Sequence, residues 1–329
     1  MRTVTLLLGL LPCLAGAVDA PVVSISATTD GDSVYVNLFW NPVPGAFRYR
    51  VFYQPHLIDT PTPLGYTPTS PYEVTVSTGW NWQEQPDVVG FYYVITDSLL
   101  SDMLYFPAGN FTMGSSTVGG AATPEHTVYL DAFWIDVCEV TNLEYKAFCD
   151  ATGRAYPPDP GFIGMPNYLI NYANYPVVEV SWEDAVAYAS WADKRLPTEA
   201  EWERAAKGSA DNRLWPWGNS FNAIHANTVE PGDGWTYTSP VGTFPTGMSP
   251  DGCLDMAGNV WEWANDWYLA SYYGSSPINN PQGPESGLYR VRRGGSWTND
   301  SLNARCSSRY WGDPANRGTN LGFRCARTP

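Results

Sequence analysis

Hydrophobic and polar positions change rhythm several times along the chain. Val4 to Leu14 is mostly apolar, too short to span a bilayer comfortably. From about residue 21 to 98 the period is two: "SVYVNLFW" sets Val34, Val36, Leu38 and Trp40 on one face, and "FRYRVFY" does the same with Tyr49, Val51 and Tyr53. "NPVPGA" is a turn, and "YEVTVS" and "FYYVIT" are further strands. Short strands with turn punctuation predict a small all-β sandwich. From about residue 99 the pattern turns helical in three places, each opened by a capping box in which side chains at both ends of the first turn satisfy free backbone N–H groups. These are Thr141 with Glu144, Ser181 with Asp184, and Thr198 with Glu201, ahead of "NLEYKAFCDATG", "WEDAVAYASWADK" and "EAEWERAAKG". Gly153 and Gly208 stop the first and third. Beyond Gly208 no period is sustained, which predicts a few short helices around a small irregular β core with much loop.

Composition sharpens this. The 28 Pro and 30 Gly favour turns over long helices. A formal charge of −15 repels a phosphate backbone and sets nucleic acid aside as a partner, whereas clustered carboxylates could hold a hard cation such as calcium. Arg2, the apolar run and the small residues "AGA" from Ala15 to Ala17 read as a signal peptide over residues 1–17, placing the protein outside the cell, at its surface or in a periplasm, with no later membrane span. Export permits disulfides. Cys13 leaves with the signal, and Cys138, Cys149, Cys253, Cys306 and Cys325 remain, an odd number. His56, His126 and His225 share no metal-binding spacing, and His126 reads as a hydrogen-bonded core histidine.

The W-N-P-V-P-G-A-x-x-Y-x-V run from Trp40 resembles a fibronectin type III domain over residues 21–98, a spacer or adhesive module. In the rest of the chain, residues 99–329, eight pieces follow in order: "FPAGNFTMGS", "PEHTVYLDAFWIDVCEVTNLEYKAF", "YPVVEVSWEDAVAYASWADKRLPTEAEWERAAKG", "LWPWGN", "SPVGTFP", "DMAGNVWEW", "RRGGSW" and "NLGFRC". Together they resemble the formylglycine-generating enzyme family, the sulfatase-modifying factor domain. The resemblance implies an α+β, C-type-lectin-like fold with little regular structure.

Enzymes of that family convert a sulfatase cysteine to formylglycine with oxygen and a copper ion on two cysteine thiolates, as suits soft Cu(I). Counted forward from Trp297, the two cysteine positions are Asn299 and Ala304; counted backward from Cys306 in "RCSSR", they are Ser296 and Ser301. Neither register holds sulfur, so copper is not expected. The family's structural partners of Cys306 and Cys325 fall at Ala189 and Ala206, leaving Cys138, Cys149, Cys306 and Cys325 as disulfide candidates with open connectivity. By position the resemblance also implies two structural calcium ions. One would use Asp255 and Glu262 side chains with Gly258 and Val260 carbonyls; the other Asn227 and Asp233 side chains with Thr228 and Trp235 carbonyls, in a loop shorter than the enzymes'.

Arg195 and Glu199 are expected to share an ion pair or capping contacts, and Arg293, Arg309 and Arg324 to anchor the late loops. Trp182, Trp191, Trp202, Trp215, Trp217, Trp261 and Trp263 are expected in the core, some of them lining a groove. The reading these residues favour is a secreted, calcium-stabilised, non-catalytic binding or adhesion module, a pseudoenzyme whose ligand is a protein, a peptide or a cell-surface glycan. The alternative is a formylglycine-generating oxidase, which lacks its thiolates here. An enzyme built on Ser296, Asn299 and Asp300 lacks a nearby histidine base.

Overall fold

The computed structural model describes residues 103–209 and 212–329 in full and, of residues 1–102, the backbone of six strands. The signal peptide expected at residues 1–17 lies outside the described residues. The chain divides into two units, Met1–Asp102 and Met103–Pro329.

In the first unit, strands β1 (Val23–Asp30), β2 (Ser33–Trp40) and β5 (Glu73–Thr78) form one antiparallel sheet in the order β1-β2-β5. Strands β3 (Arg48–Gln54), β4 (Thr62–Thr67) and β6 (Phe91–Asp97) form another, in the order β4-β3-β6. The four stretches with a period of two are among these strands.

The second unit has short strands and four helices. Strands β7 (Met103–Phe106), β10 (Phe133–Asp136) and β15 (Ala326–Arg327) make a sheet ordered β15-β10-β7, and β8 (Gly109–Met113) pairs with β9 (His126–Leu130). The largest sheet runs β13-β12-β11-β14, with β11 at Trp261–Trp267, β12 at Arg290–Arg293, β13 at Tyr310–Gly312 and β14 at Leu321–Gly322. The three expected capping boxes open α1 (Asn142–Thr152), α3 (Trp182–Trp191) and α4 (Glu199–Lys207); α2 (Tyr168–Asn171) is a single turn without a side-chain cap. Gly153 ends α1 in the left-handed conformation, donating to the Cys149 carbonyl.

Two large apolar clusters form most of the core of this unit. One gathers Phe106, Phe111, Val128, Phe133, Trp202 and Cys306 around α4; the other packs α1 and α3 against Trp261, Trp263, Phe323 and Cys325. Helix α4 reads as a surface helix, "EAEWERAAK", yet every residue of it is buried. Charges taken from water need partners. Glu203 accepts from Lys207, from Arg293 Nη2 at 2.5 Å, from the Gly114 N–H at 2.7 Å and from Ser307 Oγ at 3.0 Å. Glu199 is gripped at both oxygens by Arg309, at 2.7 and 2.8 Å. The expected Arg195–Glu199 pairing is therefore corrected: Arg195 forks onto Glu201 instead, at 2.6 Å for each oxygen, because Glu201 sits at the N3 position facing the loop before the helix. Trp191 also departs from expectation, at 43% exposure on the last turn of α3, while Trp182 and Trp217 are half-buried. His126 is half-buried, its Nδ1 3.0 Å from the Pro124 carbonyl and its ring edge-on to Tyr273.

Candidate functional site

The loop Ser296–Ala304, where the resemblance sets the cysteine pair, is stitched shut by hydrogen bonds. Ser296, fully buried, donates its Oγ–H to Asn299 Oδ1 at 2.5 Å and accepts from Asn320 Nδ2 at 3.0 Å. Trp261 Nε1 donates to the same Asn299 oxygen at 2.8 Å. The Asn299 carbonyl accepts the Val229 N–H, Ser301 N–H donates to Glu230 Oε1 at 2.7 Å, and the Ser301 carbonyl accepts from Trp215 Nε1. Ala304 is fully buried in a small cluster with Ala226 and Ala257. In both registers the loop therefore presents hydroxyl, amide or methyl groups where soft-metal chemistry needs thiolates. Cys306, which follows, is buried in the cluster around α4, and burial pushes its thiol up to about 12, far from the thiolate form at neutral pH. The residues present do not fit copper.

Cys149, Cys253, Cys306 and Cys325 are not bonded to another sulfur, and Cys138 is half-buried. The structure explains part of this. Ala206 shares a core cluster with Cys306, and Ala189 shares one with Cys325. The positions at which the resemblance sets the partner half-cystines carry methyl groups.

The first expected calcium loop turns sharply, with Asp255, Gly258 and Asn259 all at positive φ. Gly258 is required there: at φ +81 an added Cβ would meet the Asn227 carbonyl oxygen at 2.2 Å. Asp255 is buried and accepts from the Gly242 N–H at 2.5 Å. Glu262 is less open than its position suggests, because Arg324 forks onto both its oxygens at 2.7 Å and Trp202 Nε1 donates to one of them. The carboxylate with capacity to spare is Glu139. Its Oε1 accepts from Asn259 Nδ2 at 3.0 Å, while its buried Oε2 has no partner. Burial, then the Asp255 and Glu262 charges, push Glu139 well above the usual carboxylate range, and burial pushes Asp255 up to about 6. Carboxyl groups crowded this way hold a proton or a cation between them. Sequence reasoning missed Glu139 because it lies 116 to 123 residues before the loop it faces, and only the tertiary fold joins them.

The second expected loop adjoins the first. The Asn227 carbonyl accepts the Asn259 N–H at 2.8 Å, and Asn227 Nδ2 donates to the Tyr237 carbonyl at 2.8 Å. That leaves Asn227 Oδ1 buried without a donor, and Thr228 Oγ1 likewise. Asp233 closes the loop by accepting from the Thr228 and Trp235 amides, both at 2.9 Å. An orphaned buried oxygen costs about 1–3 kcal/mol, so Asn227 Oδ1 suits a hard cation, whereas both Glu262 oxygens are already held by Arg324. Among the described residues no three His, Cys, Asp or Glu side chains converge as metal ligands; a cation here would depend on amide and carbonyl oxygens.

The chain matches the sulfatase-modifying factor enzyme 1-like domain family over residues 95–329. It is 37% identical to a formylglycine-generating enzyme of Streptomyces coelicolor over 278 residues, 67% of this chain and 87% of that protein. It is 31% identical to an inactive C-alpha-formylglycine-generating enzyme 2 of Bos taurus over 278 residues, 68% of this chain and 87% of that one. Among solved structures, PvdO from Pseudomonas aeruginosa superposes with a TM-score of 0.60 at 32% identity, covering 69% of this chain and 94% of that one. By the family match over most of its length, the chain belongs to the sulfatase-modifying factor enzyme 1-like domain family.

Proposed function

We propose that this chain is an exported, calcium-stabilised, non-catalytic member of its family that acts as a binding module. One observation carries the reading: the loop Ser296–Ala304 holds no sulfur, and its Asn299 side chain is committed to Trp261 and Ser296. The fibronectin type III-like segment at residues 21–98 serves as its spacer. Calcium ties down the Asn227–Trp235 loop and the Asp255–Val260 loop that leads into β11, both of which lie outside the strands. Ligand contact falls beside the sulfur-free loop, where Tyr310 stacks on Trp261 with ring centroids 5.1 Å apart and Tyr310 and Trp311 are 46% and 41% exposed. That an inactive relative exists supports this assignment.

The similarity to working oxidases favours a second reading, in which the chain still oxidises sulfatase cysteines. One experiment separates them. The purified protein is incubated with copper and a cysteine-containing sulfatase peptide, beside an active formylglycine-generating enzyme, and the peptide is weighed by mass spectrometry. No aldehyde is expected; aldehyde beyond one equivalent per protein overturns the non-catalytic reading. Separately, a calcium chelator is expected to lower the melting temperature, and an unchanged melting curve removes calcium from the proposal.

A further inference from the structure

A cavity of about 120 Å³ lies between the start of α1, the turn α2 and the loop Tyr156–Pro160 that runs from one to the other. Leu169 and Val178 complete its walls, and none of its lining residues belongs to the sulfur-free loop or to the two expected calcium loops. A cavity of about 150 Å³ holds a benzene ring, so this one has room for an aliphatic stem of roughly four carbons.

The polar lining is rich in acceptors and poor in donors. Pro157, Pro158 and Pro160 have no N–H to offer. Asn142 is fully buried, and its Nδ2 donates to the Tyr168 and Tyr172 carbonyls at 3.3 and 2.9 Å. Those two carbonyls fix which way the amide faces, and Oδ1 is left buried with no donor. The Tyr168 N–H donates to Asp159 Oδ2 at 3.1 Å, and its hydroxyl donates to the Pro176 carbonyl at 2.9 Å. Asp159 lines the cavity and is itself exposed; the Gly161 N–H donates to its Oδ1 at 2.9 Å. One N–H on each oxygen leaves that carboxylate able to accept more. Among the described residues, no Lys, Arg or His lies within ion-pair distance of Asp159.

This lining selects its occupant. Asp159 and the formal charge of −15 repel anions and draw cations. A purely apolar guest would suit the prolines, Leu169 and Val178 but leave Asn142 Oδ1 without a partner. A positive head that only donates, on a slender apolar stem, meets every condition. We propose that the cavity takes a primary alkylammonium group, its head donating to Asn142 Oδ1 and Asp159 and its stem lying along the prolines and Val178. A free aliphatic amine and a lysine side chain of a partner share this chemistry. The site stands apart from the sulfur-free loop and the calcium loops, so it depends on neither.

The test titrates the full chain, at low salt in a calorimeter, with n-butylammonium, Nα-acetyl-lysine amide, Nα-acetyl-norleucine amide and tetramethylammonium. Norleucine offers the stem without the charge, and tetramethylammonium the charge without a donor. The two primary ammonium probes are expected to bind at least tenfold more tightly than either. Tighter binding of butylammonium assigns the site to a free amine; tighter binding of the lysine probe assigns it to a partner's side chain. Asp159→Asn should weaken both ammonium probes at least tenfold. Asp193→Asn removes the same charge from an exposed residue whose positive φ Asn tolerates, and should change neither. Melting curves establish that each variant is folded. No binding by the folded wild-type chain, equal affinity for norleucine or tetramethylammonium, or the same loss from Asp193→Asn overturns the proposal.

Discussion

Replacing Glu203 by Gln keeps the shape of α4 and removes one charge from its centre. The carboxylate is fully buried and accepts from Lys207, Arg293, Tyr273, Ser307 and the Gly114 amide. Burial alone would raise it; the Lys207 and Arg293 charges outweigh burial and hold it at about 2, against an ordinary 4.5. That difference corresponds to about 3 kcal/mol of folded-state preference for the ionised form. The direct loss of one member of a buried ion pair is of the same size, about 3–5 kcal/mol, because the surviving cations are left uncompensated. For a unit of this length a loss of 3 kcal/mol lowers the melting temperature by about 6–12 °C. The folded carboxylate is the stronger acid, so its stabilisation is complete above about pH 4.5 and fades as the pH falls toward 2. Urea unfolding of wild type and Glu203→Gln at pH 7 and pH 3 measures this. The gap should be near its full value at pH 7 and clearly smaller at pH 3. A difference below about 1 kcal/mol at pH 7, or one that does not shrink in acid, would refute the assignment of the network as the support of α4.

Two further substitutions probe the surroundings. Asp266 is pushed up to about 8 by burial and the Glu199 charge beside it, so the wild type loses stability as the pH rises from about 4 toward 8. Asp266→Asn keeps an acceptor for the Glu199 N–H, held at 2.8 Å, and should exceed the wild type by more than about 2 kcal/mol at pH 8, with the gap closing toward pH 4 in the same unfolding assay; a pH-independent gap counts against it. Gly258→Ala should destabilise by more than about 2 kcal/mol and lower calcium affinity in titration, since the new methyl would strike the Asn227 carbonyl that joins the two loops; unaltered stability and affinity would mean the loops are not locked together.

Local signals carried the helices and failed at partnerships. Thr141, Ser181 and Thr198 each announce a helix because a capping box is complete within four residues, and all three form as read. The charged face of α4 misleads, since "EAEWERAAK" is written for solvent unless Arg293 and Arg309, 90 and 110 residues beyond their partners, come to meet it. For the same reason Glu262 looked like an open ligand until Arg324 closed on it, and nothing singled out Glu139 until the fold set it against Asp255. Asn299, Ala304, Ser296 and Ser301 were informative in the opposite way. The absence of sulfur is a fact of composition at a position, and no fold can supply it.

The segment from Asn320 to Arg327 has a consequence for how the second unit is made. It lies parallel to β11 through Leu321 and Gly322, completes the β10 sheet through Ala326, and places Arg324 on the Asp136, Val137 and Leu254 carbonyls. During synthesis on a ribosome, the strands and loops made earlier must wait, unclosed, until residues 320–327 emerge to lock them. The nascent unit should therefore become protease-resistant only once this segment has emerged.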